Sequence, residues 1–508
     1  MDWAKTSTKT STANSIALNR LYYILSLFLL TTLPAYAWDW WPLPMDKADN
    51  GQDTLLYTVG LRGVASYGKT APYWLQTNRY GDISAAPFSG NITAGIIKPA
   101  TRPNRWYDYD FSVTLTGRIQ SRTDAVIPYI NSIGTGYTNL AYAHVRLYIV
   151  DITLGIKPEQ YGVADPLLSS GGVLYSNNAH PMPRVQIGID QWTAFPGLYG
   201  YVEFQGGFSH QWQADNVYIN KCLIHHKWVG GRIGGRLPVN VSYEFHHVAQ
   251  WGGYSPVYGD LGNSWQAFMN AVLVRSGGTM ANDQINAQGN HIGSQILTVD
   301  VKGDGWKVSA YWQNIFEDGP IRFIGAGMNA ADGLWGLHIS QNKWQYISGL
   351  TYEFINTTDQ SGPFHDKDGM VYGGADSYFR NGIYRNGWNY GYRTIGTPFI
   401  TSPIYNTDGT IDTRNSRVQA HYIGLKGDIC GYKYRAVCSY AKNYGNDNRS
   451  KTLLSTNTGV LLEVEKHVEK AWGLDFGLSL AADFGTQFGN QFGALLRITK
   501  QGLITQWR

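Results

Sequence analysis

The chain has 508 residues, 43% of them hydrophobic, 14% aromatic and only 15% charged, with a net charge of +4. So little charge beside so many aromatics excludes a disordered chain, and a small net charge without a Lys/Arg tract excludes a nucleic-acid binder. The one apolar run near the length of a membrane-spanning helix stands at the N-terminus, which excludes a polytopic helical membrane protein.

Taken in chain order, residues 1–37 read as a secretory signal peptide. Lys5, Lys9 and Arg20 supply its positive region, Leu21 to Leu33 its apolar core, and Ala35-Tyr36-Ala37 a small-x-small cleavage site. The mature chain then begins at Trp38, with 38–54 an N-terminal periplasmic segment and 55–508 the folded body. Beyond residue 50 the dominant signal is period-two alternation. Phe111, Val113, Leu115 and Ile119 alternate with Ser112, Thr114, Thr116, Arg118 and Gln120. The same pattern recurs at 143–149, 239–246, 306–313, 472–480 and 494–500. Each segment has one apolar and one polar face, because successive strand side chains point opposite ways. Short links join many of these segments as hairpins: Val299–Lys302 runs into Trp306–Gln313 through Gly303-Asp304-Gly305, and Gly424–Gly431 runs into Tyr432–Cys438.

Such strands could pack as a soluble sandwich or close into a barrel whose apolar faces meet lipid. Aromatic residues near strand ends, charged residues on the polar faces and the hairpin links favour the barrel. The expected fold is therefore all-β, a transmembrane antiparallel β-barrel of about 16 to 18 strands. The two longest irregular stretches, 248–291 and 356–415, are long loops, with a short helix at 263–274. The three cysteines, Cys222, Cys430 and Cys438, make no disulfide framework. They read as free thiols, with a Cys430–Cys438 bridge as the alternative.

Several loop motifs resemble one family, the Wzi-type capsule assembly proteins of the bacterial outer membrane. The matching segments include GLRGVASYGKTAPYWLQTNRYGDIS (60–84), GYVEFQGGFSHQW (200–212), FHHVAQWGGYSPVYGDLGNSWQAF (245–268) and YFRNGIYRNGWNYGYRTIGTPF (378–399). The resemblance spans nearly the whole mature chain. It implies a monomeric barrel of about 18 strands, with an outer mouth occluded by loops and a periplasmic mouth plugged by helices. It also implies a lectin-like role, in which the protein binds capsular polysaccharide and anchors it to the surface of the outer membrane.

The residues themselves suggest where a glycan would sit. Between 372 and 399, Tyr378, Tyr384, Trp388 and Tyr390 are interleaved with Arg380, Arg385 and Arg393. Sugar C–H faces lie flat on aromatic rings, and forked donors suit hydroxyls and carboxylates. Trp251 and Tyr254 extend the candidate set. The same aromatics could instead pack the loop upon itself and close the barrel mouth. Glu244 and His246 share the lumen face with Arg118 and Arg146 as a candidate polar network. An acid–base pair is conceivable there, yet no nucleophile motif or metal-ligand spacing accompanies it. Glu317-Asp318, at a strand end, reads as a solvated pair, with a Ca²⁺ site as the alternative that its two carboxylates alone do not fill. The expectation is a non-enzyme without metal or cofactor, with capsular polysaccharide and outer-membrane lipid as partners and no nucleic acid. A passive porin or polysaccharide export channel is the alternative, and an outer-membrane hydrolase using Glu244 and His246 a third.

Overall fold

The computed structural model describes residues 52–101, 105–128, 131–159, 161–278, 287–317, 331–360, 365–367, 370–372, 377–446 and 452–507. The signal peptide and nearly all of the 38–54 segment lie outside these residues, as does Asp318. One 18-stranded antiparallel sheet dominates. Its strands are β1 (Asp53–Tyr67), β2 (Phe88–Lys98), β3 (Tyr107–Gln120), β4 (Gly134–Leu147), β5 (Val150–Ile156) and β6 (Pro183–Ala194). They continue with β7 (Val202–Gln213), β8 (Cys222–Ile233), β9 (Val239–Trp251), β10 (Asn290–Gly303), β11 (Trp306–Glu317) and β12 (Gly333–Gln341). The last six are β13 (Gly349–Asn356), β14 (Val418–Ile429), β15 (Tyr432–Asn443), β16 (Ser455–Val468), β17 (Leu474–Gly485) and β18 (Gln491–Trp507). Each strand pairs with the next, and β18 returns to β1 along Asp53↔Trp507 to Tyr67↔Phe492, so the sheet is a closed barrel.

The alternating segments fall inside these strands, with small shifts where a turn intervenes. β4 stops at Leu147 because Tyr148 adopts φ +53° in the next turn, and Trp472 at φ +57° delays β17 to Leu474. Cys430 and Gly431, at φ +54° and +75°, form the two-residue hairpin turn that suits strand twist. All three cysteines are free. Cys430 lies in that turn and Cys438 well along β15, at ~3.4 Å of rise per residue.

The faces separate as the pattern demands. Val113, Leu115 and Ile119 are exposed on the outside, whereas Ser112, Thr114 and Thr116 are buried within. Val59, Leu61, Ile92, Leu154, Ile187, Val229, Leu462 and Leu496 continue the exposed apolar belt. Exposed Trp106, Tyr148, Trp344 and Trp472 flank one end, and Tyr67, Phe88, Trp335 and Phe484 the other. A belt of this kind between aromatic girdles is the lipid-facing surface of a membrane barrel. Among the described residues no helix is long and apolar enough to cross a membrane.

The two rims differ. Links at one end are short, such as 148–149, 304–305 and 430–431, and this is the turn end. The loop end carries 68–87, 157–182, 252–289 and 357–417. Three of these loops turn inward and fill the lumen. Tyr73, Trp74 and Leu75 of the first, Val173, Leu174 and Tyr175 of the second, and Tyr378, Phe379 and Trp388 of the third share one buried core. Wall residues of β1 and of β8 to β18 complete that core, and among the described residues β2 to β7 contribute none. The plug therefore leans on one arc of the wall and leaves polar space along the other.

Carboxylates on the wall hold the loops in place. Glu463 accepts from Arg79 at 2.6 Å, Arg435 at 2.6 Å and Ser479 at 2.9 Å. Glu353 accepts from Ser169 Oγ and the Ser170 amide, both at 2.7 Å. Glu317 accepts the Phe379 amide at 2.8 Å and is buried, which corrects its reading as a solvated residue: the inward loop excludes water from it. The plug is built from loops. The one-turn helix α1 (Tyr73–Gln76) belongs to it, while α2 (Trp265–Leu273), within the expected 263–274 helix, packs outside the barrel wall.

Candidate functional site

Where the plug leaves the wall, a pocket of about 490 Å³ lies at the loop end, beside β3 and β4. Arg118 and Tyr137 line it from the wall, His180, Asp215, Tyr390 and Arg393 from the loops. The Arg118 guanidinium carbon lies 5.2 Å from the Tyr137 ring centre, and Arg118 Nη1 donates to the Gly81 carbonyl at 3.3 Å. Tyr137 meets His180 edge-on at 5.9 Å and donates its hydroxyl to Asp82 at 2.5 Å. Arg393 is buried and donates to Gln76 Oε1 and the Ile83 carbonyl, both at 3.0 Å. Asp215 accepts the Gly391 amide at 2.8 Å, and burial pushes its carboxyl up to about 6. Aromatic edges, a guanidinium held by its neighbours and a carboxylate thus converge on one concave surface. Such a set can stack on a sugar ring and exchange hydrogen bonds with its hydroxyls.

The structure divides the expected glycan residues into three groups. Tyr390 and Arg393 reach the pocket and meet Arg118 there. Arg380, Arg385 and Tyr254 are exposed, with Arg385 5.6 Å from the Tyr218 ring. Tyr378, Tyr384 and Trp388 are buried, and packing is their role here. Tyr378 donates to Asp332 at 2.9 Å, Trp388 donates to the Leu174 carbonyl at 2.7 Å, and Tyr384 packs with Ile219 and Leu261 to join three loops. Trp251 is buried as well, and on the outer side. β9 runs on to Trp251, so its parity with Phe245 turns it outward beneath α2.

The lumen residues do not form one network. Glu244 and His246 do point inward, as parity requires. His246 lies 3.4 Å from Glu244 and 3.2 Å from His226, in a buried hydrogen-bonded group. Arg146 belongs elsewhere, donating to Asp151 at 2.8 Å. There His144 bridges Asp110 at 2.5 Å and Asp151 at 3.0 Å. His144, Asp151 and Asp190 are close enough to hold a metal ion. However, Arg146 on Asp151 and Lys157 on Asp110 already supply the positive charge, so the cluster fits an ion-pair network better than a cation site.

Toward the turn end lies a second cavity of about 610 Å³, lined by Lys157, Glu159, Asp190, Glu244 and Asp300. A space of about 20 Å³ stands between the two. It shares His180 with the outer pocket, and Pro158 and Glu159 with the inner cavity. That neck has room for about one water.

Asp332 sets the entry to the longest loop. It accepts the Gln360 amide at 2.7 Å and the Tyr378 hydroxyl at 2.9 Å. Burial pushes its carboxyl up to about 6. A raised folded value means that stability is fully present below the unfolded value and is lost as pH rises through the folded one. The loop anchor should thus lose about 2 kcal/mol between pH 4 and pH 7. Protease resistance of the 357–417 loop, measured across that range, should fall with rising pH, and Asp332→Asn should flatten the profile. A profile that rises with pH would contradict the assignment.

No protein-family model matches the chain, and no curated protein matches it in sequence. Its fold is that of an outer-membrane β-barrel. Among solved structures it is similar to Wzi of Escherichia coli, described as an outer-membrane protein involved in group 1 capsule assembly and a carbohydrate-binding β-barrel. That match has a TM-score of 0.52 at 15% identity, covering 87% of this chain and 84% of the other. Lower similarity extends to OprD of Pseudomonas aeruginosa (TM-score 0.43, 10% identity, 89% and 96% covered). A BenF-like porin of Pseudomonas fluorescens gives a TM-score of 0.43 at 10% identity, with 89% and 99% covered.

Proposed function

We propose that the protein is a non-enzymatic outer-membrane barrel of the Wzi capsule-assembly type, which binds capsular polysaccharide and anchors it at the cell surface. The observation that carries this reading is the pocket at the loop end. It presents Tyr137, Tyr390 and Arg118 on a concave surface, while loop side chains fill the adjoining lumen. A polymer held there meets rings and donors and is not cleaved. The buried Glu244–His246 pair serves the wall's hydrogen bonding.

The test is binding of purified barrel to capsular polysaccharide from the producing cells. Tyr390→Ala and Arg118→Met should each weaken binding about tenfold, equivalent to about 1.4 kcal/mol, with polymer length unchanged after incubation. In cells, gene deletion should move polymer from the surface into the medium. Unchanged affinity in both variants would remove the pocket as the site. The porin reading rests on the chain of cavities that share His180, Pro158 and Glu159. A steady large conductance from the intact protein in a planar bilayer would favour it.

A further inference from the structure

We propose that α2 is a lipid-binding element, seated in the outer leaflet of the membrane with its outward face against acyl chains. The inference rests on the outer-membrane reading and not on polysaccharide binding. One face of α2 is fixed to the wall. Ala267, Phe268 and Ala271 pack on Ala249, Trp251 and Leu223, which point away from the lumen. Lys227, also outward on β8, donates to the Val272 carbonyl in the last turn.

The opposite face is apolar too. Trp265, Met269, Val272 and Leu273 recur at the i, i+4, i+7, i+8 spacing of a single helical stripe. Trp265 is 73% exposed and Leu273 43%. The polar members, Gln266 and Asn270, occupy one edge, where Gln266 donates to Asn270 at 2.9 Å and Asn270 to Gln288 at 3.0 Å. A helix apolar on two opposite sides needs apolar surroundings on both. The wall supplies one side; on the other, Met269 and Val272 are half-buried, and among the described residues Trp265 and Leu273 stay uncovered.

The position of the helix indicates the occupant. α2 stands on the outer surface of β8 and β9, on the face that exposes Val229 to lipid lower down β8. The neighbouring loop residues Val257 and Tyr258 and the wall residue Trp212 are also exposed. Arg275, exposed just past the left-handed cap at Val274, can extend to headgroup phosphates while the apolar face stays below them. The surface therefore continues the lipid-facing belt upward.

The experiment places photoreactive benzoylphenylalanine at position 265 in cells, with Val229 and Thr410 as reference positions. Val229 lies in the belt, and Thr410 is exposed in the longest loop. After irradiation, lipid adducts are detected by gel shift and mass spectrometry. Positions 265 and 229 should give lipid adducts, and position 410 none. An adduct between two copies of the chain at 265, or no adduct at 265 beside a clear one at 229, would overturn the proposal. No lipid adduct at 229 would overturn the membrane reading beneath it as well.

Discussion

Trp388→Ala should release the plug while leaving the barrel closed. Trp388 is fully buried, donates its indole N–H to the Leu174 carbonyl at 2.7 Å and meets the Tyr175 ring edge-on at 5.6 Å. It thereby links the 357–417 loop to the 157–182 loop. Truncation of a buried tryptophan costs about 3–5 kcal/mol, and the Leu174 carbonyl loses its donor as well. The wall strands keep their ladder bonds, so the heat-dependent electrophoretic shift of a folded barrel should persist. Trypsin should now cut after Arg393, which is buried in the intact protein. Conductance in a planar bilayer should rise, because the neck beneath the outer pocket is walled by Tyr175 and Ile395 of the same two loops. Unaltered proteolysis and conductance would show that Trp388 does not hold the plug.

The barrel was legible because its constraint is local. Period-two alternation needs only neighbouring residues, and the lipid face of β3 follows directly from Val113, Leu115 and Ile119. The destination of the loops is a tertiary matter. Tyr378, Trp388 and Tyr390 have one composition whether they stack on sugar or fill a lumen. Wall partners such as Glu317 and Asp332, distant in sequence, decide between the two. Trp251 had a readable signal, since extending the alternation from Phe245 through His247 and Ala249 places it outside. Tyr390 and Arg393 were legible as glycan candidates, and Arg118 only as a lumen residue expected beside Glu244 and His246, whereas it lines the loop-end pocket. Tyr137, His180 and Asp215 were not legible, because they come from separate segments without a shared motif and meet only when three loops fold inward.

Glu463→Ala should be the most damaging single change to the wall's grip on the 68–87 loop. Glu463 is buried on β16 and takes Arg79 of that loop and Arg435 of β15 on its two oxygens. Removing it takes away the carboxylate both guanidiniums share. Breaking a buried pair by deleting one partner costs about 3–5 kcal/mol, far more than the net worth of the pair. Arg79 should withdraw toward water and carry its loop with it, loosening Tyr73 and Trp74 from the core. The consequence is measurable as faster proteolysis after Arg79 and a lower midpoint for loss of near-ultraviolet circular dichroism, with the far-ultraviolet strand signal intact. Because the pair is buried, added salt should change neither result much. Adding Arg79→Met and Arg435→Met to Glu463→Ala should recover much of the loss, since an apolar replacement of similar volume leaves no charge in a dry site. A triple variant no better than Glu463→Ala would place the damage in lost packing at β16 and not in stranded charge.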